Sequence, residues 1–437
     1  MERANDTRRK ERVMRQLCYV YHIRISQDRV HIEKRGPRKN LLGQPSGRFH
    51  YQGRERARIQ ELQRAARDNT LAPSAMREIG ELLSQALLDD LLRRDFFILY
   101  EQVRREDALL RIEIDIDERA LPEVAALPWE WMYIPAGDHN PAIWLGTAPY
   151  LTLVRRRAHW QTPFPPSPGD EHLRIGLAIA DSRGVKYQPI VDTLQKLEST
   201  HPARFEIPQP HEATINGIDQ LLASKPHLFH FIGHGRLKDE AQQEVGQIGL
   251  KDELSQDEPL WIDAEGFSEL FHRHRPGVVV LQACEGGALS ASQAFVGVAS
   301  QVVQQAIPVV VAMQYEVTNA TAQRFALEFY ARLAKGEPVD KAVQEGRRHL
   351  ALSLGYTSRD FATPVIFLGI EDGHLFVLEE ATETASAQKE HQKGSIQISA
   401  KDGGIAAHTV HGGIHQHNYG QRDPSSSGTN KRINRDS

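Results

Sequence analysis

The 437-residue sequence predicts an α/β protein: a mostly parallel sheet flanked by helices, preceded by an α+β half and followed by a tail of different composition. Three observations carry that prediction. Short apolar runs bounded by Gly and Pro, such as Leu228-Phe229-His230-Phe231-Ile232 and Val278-Val279-Val280-Leu281, are what strands buried on both faces look like. From 171 to 378 such runs alternate with stretches of helical periodicity, the signature of a mostly parallel sheet. From Glu379 onward the composition turns to Glu, Thr, Ser, Gln, Gly and His, and the apolar runs stop.

Composition narrows the classes. The length allows two or three domains, and 40% hydrophobic with 25% charged residues is ordinary for a globular protein. A net charge of −4 makes no electrostatic case for a nucleic-acid partner, and none is expected. Two cysteines, Cys18 and Cys284, build no disulfide framework, which fits a reducing compartment. No apolar run approaches the roughly 18–20 residues that span a bilayer. The charged start, MERANDTRRKERVMRQL, lacks the apolar core of a signal peptide. The expectation is a cytoplasmic protein with no membrane span.

In order along the chain, residues 1–16 carry six basic side chains and read as a solvated arm. Residues 17–162 form the N-terminal half. Alternation over 18–25 and around 30–32 predicts strands, and the basic, Gly- and Pro-punctuated stretch 34–57 reads as loop. A helix is expected over 74–94, with Ser74 as cap and a stripe of Ile79, Leu82, Leu83, Ala86, Leu87 and Leu91. Leu110–Ile116 alternates as a half-buried strand, and the rings of Leu127-Pro128-Trp129-Glu130-Trp131-Met132-Tyr133 read as core packing.

The Pro-rich linker 163–170 separates that half from the domain 171–378. There, strands are expected at 173–180, 203–207, 227–232, 277–282, 307–313 and 364–368. Helices are expected at 189–199, 212–224, 264–273, 291–305, 318–335 and 338–352. The polar stretch 238–260, with a short strand at Ile248-Gly249-Leu250, reads as a flexible lid. Residues 379–393 read as linker and 421–437 as disordered tail. Between them, 394–420 repeats a nonamer opening at Gly394-Ser395-Ile396, Gly403-Gly404-Ile405 and Gly412-Gly413-Ile414. Three nonamers cannot bury a core alone, but copies from many chains can stack in register, so the segment reads either as a self-assembly motif or as a flexible tail with incidental periodicity.

Two strands end in reactive residues, His234-Gly235 after the first and Cys284 after the second. In open α/β sheets the ligand crevice lies beyond the carboxyl ends of the strands, so neighbouring strands would bring these residues together. The thiolate is the nucleophile, and a histidine beside it takes the thiol proton and returns it to a leaving amine. Gly235 lets a carbonyl approach its N–H, and that N–H with the N–H of Cys284 would form an oxyanion hole. A metal site is not expected. Alternation puts His230 and His234 on one face and His227 on the other, and no carboxylate or cysteine completes a ligand set.

The pentapeptide Gln282-Ala283-Cys284-Glu285-Gly286 resembles the caspase nucleophile signature, with its histidine 50 residues upstream. Glu285 departs from it. Over about 75–370 the chain resembles a CHAT domain, the prokaryotic caspase-like family related to separase. The resemblance is carried by Leu127–Tyr133, the HFIGHG strand end, Ala283-Cys284-Glu285 and the run from Ala312-Met313-Gln314 through Phe329-Tyr330-Ala331-Arg332-Leu333. It implies a caspase-like fold, a hairpin insertion within 238–260, and a Cys284–His234 dyad needing no third member and no cofactor. The repeat resembles short amyloid-forming signalling motifs of bacterial immune effectors.

The reading is a caspase-like cysteine endopeptidase acting on a protein substrate, an effector in bacterial defence or programmed cell death, switched on by an upstream sensor protein. The alternative is an assembly or scaffold protein working through its C-terminal repeat. Gln282 matches the caspase residue that lines the first substrate pocket, while Asp181 and Glu316 follow neighbouring strands. With Arg236 on a mobile lid, an acidic side chain finds like charge and no firm cation, so cleavage after a basic or uncharged residue is expected.

Overall fold

The computed structural model describes residues 16–137, 140–157, 172–180, 187–240, 243–255, 258–283, 290–305, 307–315, 317–371 and 373–376. The expectations for residues 1–15, the Pro-rich linker, Asp181, Cys284, Glu316 and everything from 379 onward lie outside the described residues.

The N-terminal half holds β1 (Cys18–Ile25), β2 (Arg29–Arg35), β3 (Leu41–Gly43) and β4 (Ser46–Arg48), then α1 (Gly53–Arg67), α2 (Pro73–Leu87) and α3 (Asp90–Arg105). β5 (Leu109–Ile116), α4 (Pro122–Ala125), a 3-10 turn at Trp129–Trp131, the small pair β6 (Tyr133–Ile134) and β7 (Ile143–Trp144), and β8 (Leu151–Arg156) follow. The second half runs β9 (Leu173–Ile179), α5 (Gln188–Thr200), β10 (Phe205–Glu206), β11 (His211–Glu212), α6 (Ile215–Ala223) and β12 (Leu228–Glu240). It continues through β13 (Gln243–Lys251), β14 (Pro259–Asp263), α7 (Ala264–Glu269), β15 (Val278–Ala283), α8 (Ser290–Gln305) and β16 (Val309–Met313). α9 (Asn319–Ala334), α10 (Val339–Leu354) and β17 (Pro364–Leu368) complete it.

The mostly parallel sheet flanked by helices is the architecture expected. One sheet crosses both halves in the order β10-β9-β12-β15-β16-β17-β8-β5-β1-β2-β3. β9, β12, β15 and β16 run parallel, as do β17, β8, β5 and β1, and the two blocks meet at the antiparallel pair β16–β17. Two helices rather than one separate β16 from β17, so the chain re-enters the sheet from the opposite end. The period-two alternation divides the second half between two cores. Leu228, Ile232, Val278 and Val280 pack with Phe325, Phe329 and Tyr330 of α9, while Phe229, Phe231, Val279 and Leu281 pack with Phe295, Val298 and Val302 of α8.

Three expectations are corrected. The single helix over 74–94 is two, because Asp89 is extended and its carboxylate accepts the Leu92 N–H (2.9 Å) as the cap of α3. Within 34–57, β3, β4 and the start of α1 replace the loop. α1 buries only Ile59, Leu62, Gln63 and Ala66 along an otherwise charged helix. The stretch 238–260, expected to hold one short strand, instead carries an antiparallel extension of the sheet, β12–β13–β14, whose Ile248 and Leu250 are buried against the Phe231 and Phe267 core.

The aromatic turn is core, as expected, with Trp131 stacked on Tyr315 at 5.4 Å. At its centre Glu130 is fully buried. Arg155 grips its two carboxylate oxygens at 3.0 and 2.7 Å, Gln314 donates to it at 3.0 Å, and an Arg347 guanidinium nitrogen lies 3.9 Å away. Burial alone would raise the Glu130 pKa, but Arg155 outweighs it and holds the carboxyl below its usual range. Burial lowers Arg347 to about 10, which leaves it cationic at neutral pH. Taking away one member of a buried ion cluster leaves its partners uncompensated, at a cost of about 3–5 kcal/mol. Glu130→Ala is expected to lose that much unfolding free energy in a denaturant titration. The triple exchange Glu130→Leu, Arg155→Met, Arg347→Leu is expected to lose far less.

Candidate active site

β12 is the strand on which the site is built. From Leu228 to Gly233 it lies between β9 and β15 in parallel register, with Ile232 opposite Ile179 and Gln282, and Gly233 opposite Ala283. β9 and β15 end at that level while β12 continues, so its peptide groups take a new partner. From His234 on it pairs antiparallel with β13, His234 opposite Gly249 and Gly235 opposite Ile248. Gly233 stands at this change of partner, where a Cβ would meet the Phe231 ring at 2.7 Å and the Ala180 Cβ at 2.9 Å. His234 is half-buried and Gly235 buried. Cys284 follows Ala283 in the chain and lies outside the described residues, as do Asp181 and Glu316.

Gln282 is 4% exposed and turned toward the sheet's α9 face, its Oε1 3.2 Å from His230 Nε2. The other ring nitrogen of His230, Nδ1, lies 2.9 Å from the Tyr330 hydroxyl. A tyrosine hydroxyl donating to Nδ1 leaves the proton on Nε2, which donates to the Gln282 carbonyl oxygen and orients that amide. Both nitrogens of His230 are thus engaged, and His227 Nδ1 accepts the Arg174 N–H at 2.9 Å. Among the described residues no group of three or more His, Cys, Asp or Glu side chains converges to hold a metal.

The β12–β13–β14 hairpin adds side chains beside His234 that sequence reasoning did not join. Arg236 donates from Nε to Gln247 Oε1 at 2.8 Å and lies over the Trp261 ring at 4.3 Å. The pairing belongs to register, which a single sequence does not display.

A family model described as the CHAT domain matches residues 77–388, and the chain belongs to that family. Among solved structures it is similar to the Saccharomyces cerevisiae separase–securin complex, with TM-score 0.45 and 12% identity over 80% of this chain. It spans 30% of that separase chain's length. It is also similar to the Arg-specific cysteine proteinase gingipain R, with TM-score 0.37 and 10% identity over 73% of this chain and 76% of that one. For the complex of Porphyromonas gingivalis RgpB pro- and mature domains the TM-score is 0.35, with 10% identity over 68% of this chain and 72% of that one. No curated protein matches the chain.

Burial holds the His230 imidazole down at about 4, against an ordinary 6.5, with the Gln282 bond opposing it. The unfolded chain takes up that proton near 6.5, so the folded state loses stability as pH falls from 6.5 through 4 and keeps all of it above 6.5. The shift corresponds to roughly 3 kcal/mol. His230→Leu, less stable than the parent at neutral pH, is expected to close the gap by about that amount between pH 7 and pH 4 in guanidinium titrations.

Proposed function

We propose that the chain is a cysteine endopeptidase working through a Cys284–His234 dyad. Cys284 attacks the scissile carbonyl as its proton passes to His234, forming a tetrahedral intermediate whose oxyanion is held by the N–H groups of Gly235 and Cys284. His234 returns the proton to the leaving amine, and a thioester remains. Water, deprotonated by His234, then releases the acid and regenerates the thiol. Protons and electrons close on these residues and water, so the reaction needs no cofactor.

One observation carries the reading. Gly233 and Ala283 are register partners on adjacent parallel strands, and the next residues in the chain are His234 and Cys284. Strands lie about 4.8 Å apart, so side chains carried on one face from the two following positions would be within reach of each other. Membership of the CHAT family supports the same pair. The substrate is a protein, with Gln282, Asp181 and Glu316 as candidate contacts. The biological setting we propose is a defence or programmed-death effector switched on by a sensor protein.

Cys284→Ala and His234→Ala are each expected to reduce peptide-bond cleavage by several orders of magnitude while the far-ultraviolet circular dichroism stays native. Substantial cleavage by either folded variant contradicts the dyad.

A second reading, assembly through the C-terminal repeat, is favoured by the Gly-x-Ile nonamers at 394, 403 and 412. A peptide covering 394–420 is expected to form thioflavin-positive fibres with a repeat near 4.7–4.8 Å. A peptide that stays monomeric at high concentration removes this reading.

A further inference from the structure

We propose that Arg236, Gln247 and Trp261 form a substrate subsite beside His234 that takes an acidic side chain, Asp or Glu, within two residues of the scissile bond. The proposal rests on the peptidase reading and adds to it a recognition element on the hairpin.

The geometry is set by register. On one face of an antiparallel sheet, residues directly opposite are neighbours, as are residues two apart on a strand. His234, Gly249 and Trp261 form one such row, and Arg236, Gln247 and Asp263 the next. Gly249 leaves the space between His234 and Trp261 without a side chain, and a Cβ there would meet the indole at 3.2 Å. The indole therefore extends over Gly249 toward the His234 strand. Arg236 lies over that ring at 4.3 Å, and its Nε is bound to Gln247 Oε1 at 2.8 Å. Gln247 is 8% exposed, so it is a fixed support and not a solvated contact.

A guanidinium held on its face by an indole and at Nε by an amide has lost most of its rotamer freedom. The bond to Gln247 uses none of the hydrogens on the two terminal Nη groups, the pair that receives a carboxylate end-on. Among the described residues no carboxylate forms an ion pair with Arg236. Asp263, in the same row, accepts the Gly266 N–H on its Oδ1 at 2.8 Å as the cap of α7. A half-buried, pre-oriented cation with no acidic partner among the described residues fits an anionic side chain brought by a ligand.

Two residues of strand separate Arg236 from His234 by about 7 Å, the span of two residues of extended substrate. A bound carboxylate would thus belong to a residue close to the cut. The expectation that acidic side chains find no firm cation here assumed a mobile lid under Arg236. In the structure Arg236 lies on a paired strand and is held by Gln247 and Trp261.

The test is cleavage of a peptide library by the full chain, read by mass spectrometry, with Cys284→Ala as blank. Peptides with Asp or Glu within two positions of the cut are expected to be enriched at least tenfold. In Arg236→Gln the ratio of kcat/KM for an acidic peptide over its amide counterpart is expected to fall at least tenfold, chiefly through KM. Arg236→Glu is expected to reverse the preference toward Lys-containing peptides. A wild-type profile without acidic enrichment in that window overturns the subsite and leaves the peptidase reading standing. So does an Arg236→Gln protein that loses acidic and neutral substrates in equal proportion. Wild-type protein that cuts no more than the blank overturns both.

Discussion

The structure depends on the ladder that holds β12 between β9 and β15. Side chains alternate with period two, so a slip of one residue would turn every side chain on β12 to the opposite core. In the observed register Phe229 and Phe231 meet the α8 side, while His230 meets Tyr330 and Gln282 on the other. That register also decides which residues leave the carboxyl edge together. The apolar cores on both faces therefore specify the candidate site, although none of their side chains performs chemistry.

The second constraint is the antiparallel seam between β16 and β17, where the two parallel blocks join. Buried polar pins hold the blocks around it. Glu130, Arg155, Arg347 and Gln314 bring together the aromatic turn, β8, α10 and the residue after β16. Arg111 of β5 reaches Asp340 of α10 at 2.7 Å, and Thr152 of β8 donates to the same carboxylate at 2.9 Å. Such groups favour one arrangement because any other strands a charge in the core. Gln314 is bonded to Tyr315, which stacks on Trp131, so the N-terminal half braces the strand end beside the candidate site.

Much of this is legible in the sequence where burial is two-sided. Val278–Leu281 and Ile307–Met313 are apolar without interruption and read directly as inner strands. His234 and Cys284 stand out because each follows such a run in sequence with a Gly close behind it. α1 is not legible, since Arg54, Arg56, Glu61 and Arg64 drown a stripe only four residues wide. The break between α2 and α3 hides inside a continuous apolar periodicity, and Asp89 was its signal. A lone Glu among the rings of Leu127–Tyr133, with arginines ending the strand Leu151–Arg156, marks the buried ion cluster for a reader who asks what neutralises Glu130. The support of Arg236 by Trp261 lies across two strand pairings and leaves no mark in local pattern.

The central claim is that His234 and Cys284 sit side by side at the ends of adjacent strands, and a cross-link tests it without reference to activity. In a Cys18→Ser background, His234→Cys supplies a second thiol in addition to Cys284, and a disulfide forms only where the two Cα atoms lie about 4.4–6.8 Å apart. Under mild oxidation the account predicts complete intramolecular bonding between positions 234 and 284, identified by peptide mass, with none for Lys238→Cys in the same background. Free thiols persisting at both positions, or equal bonding from position 238, would contradict it.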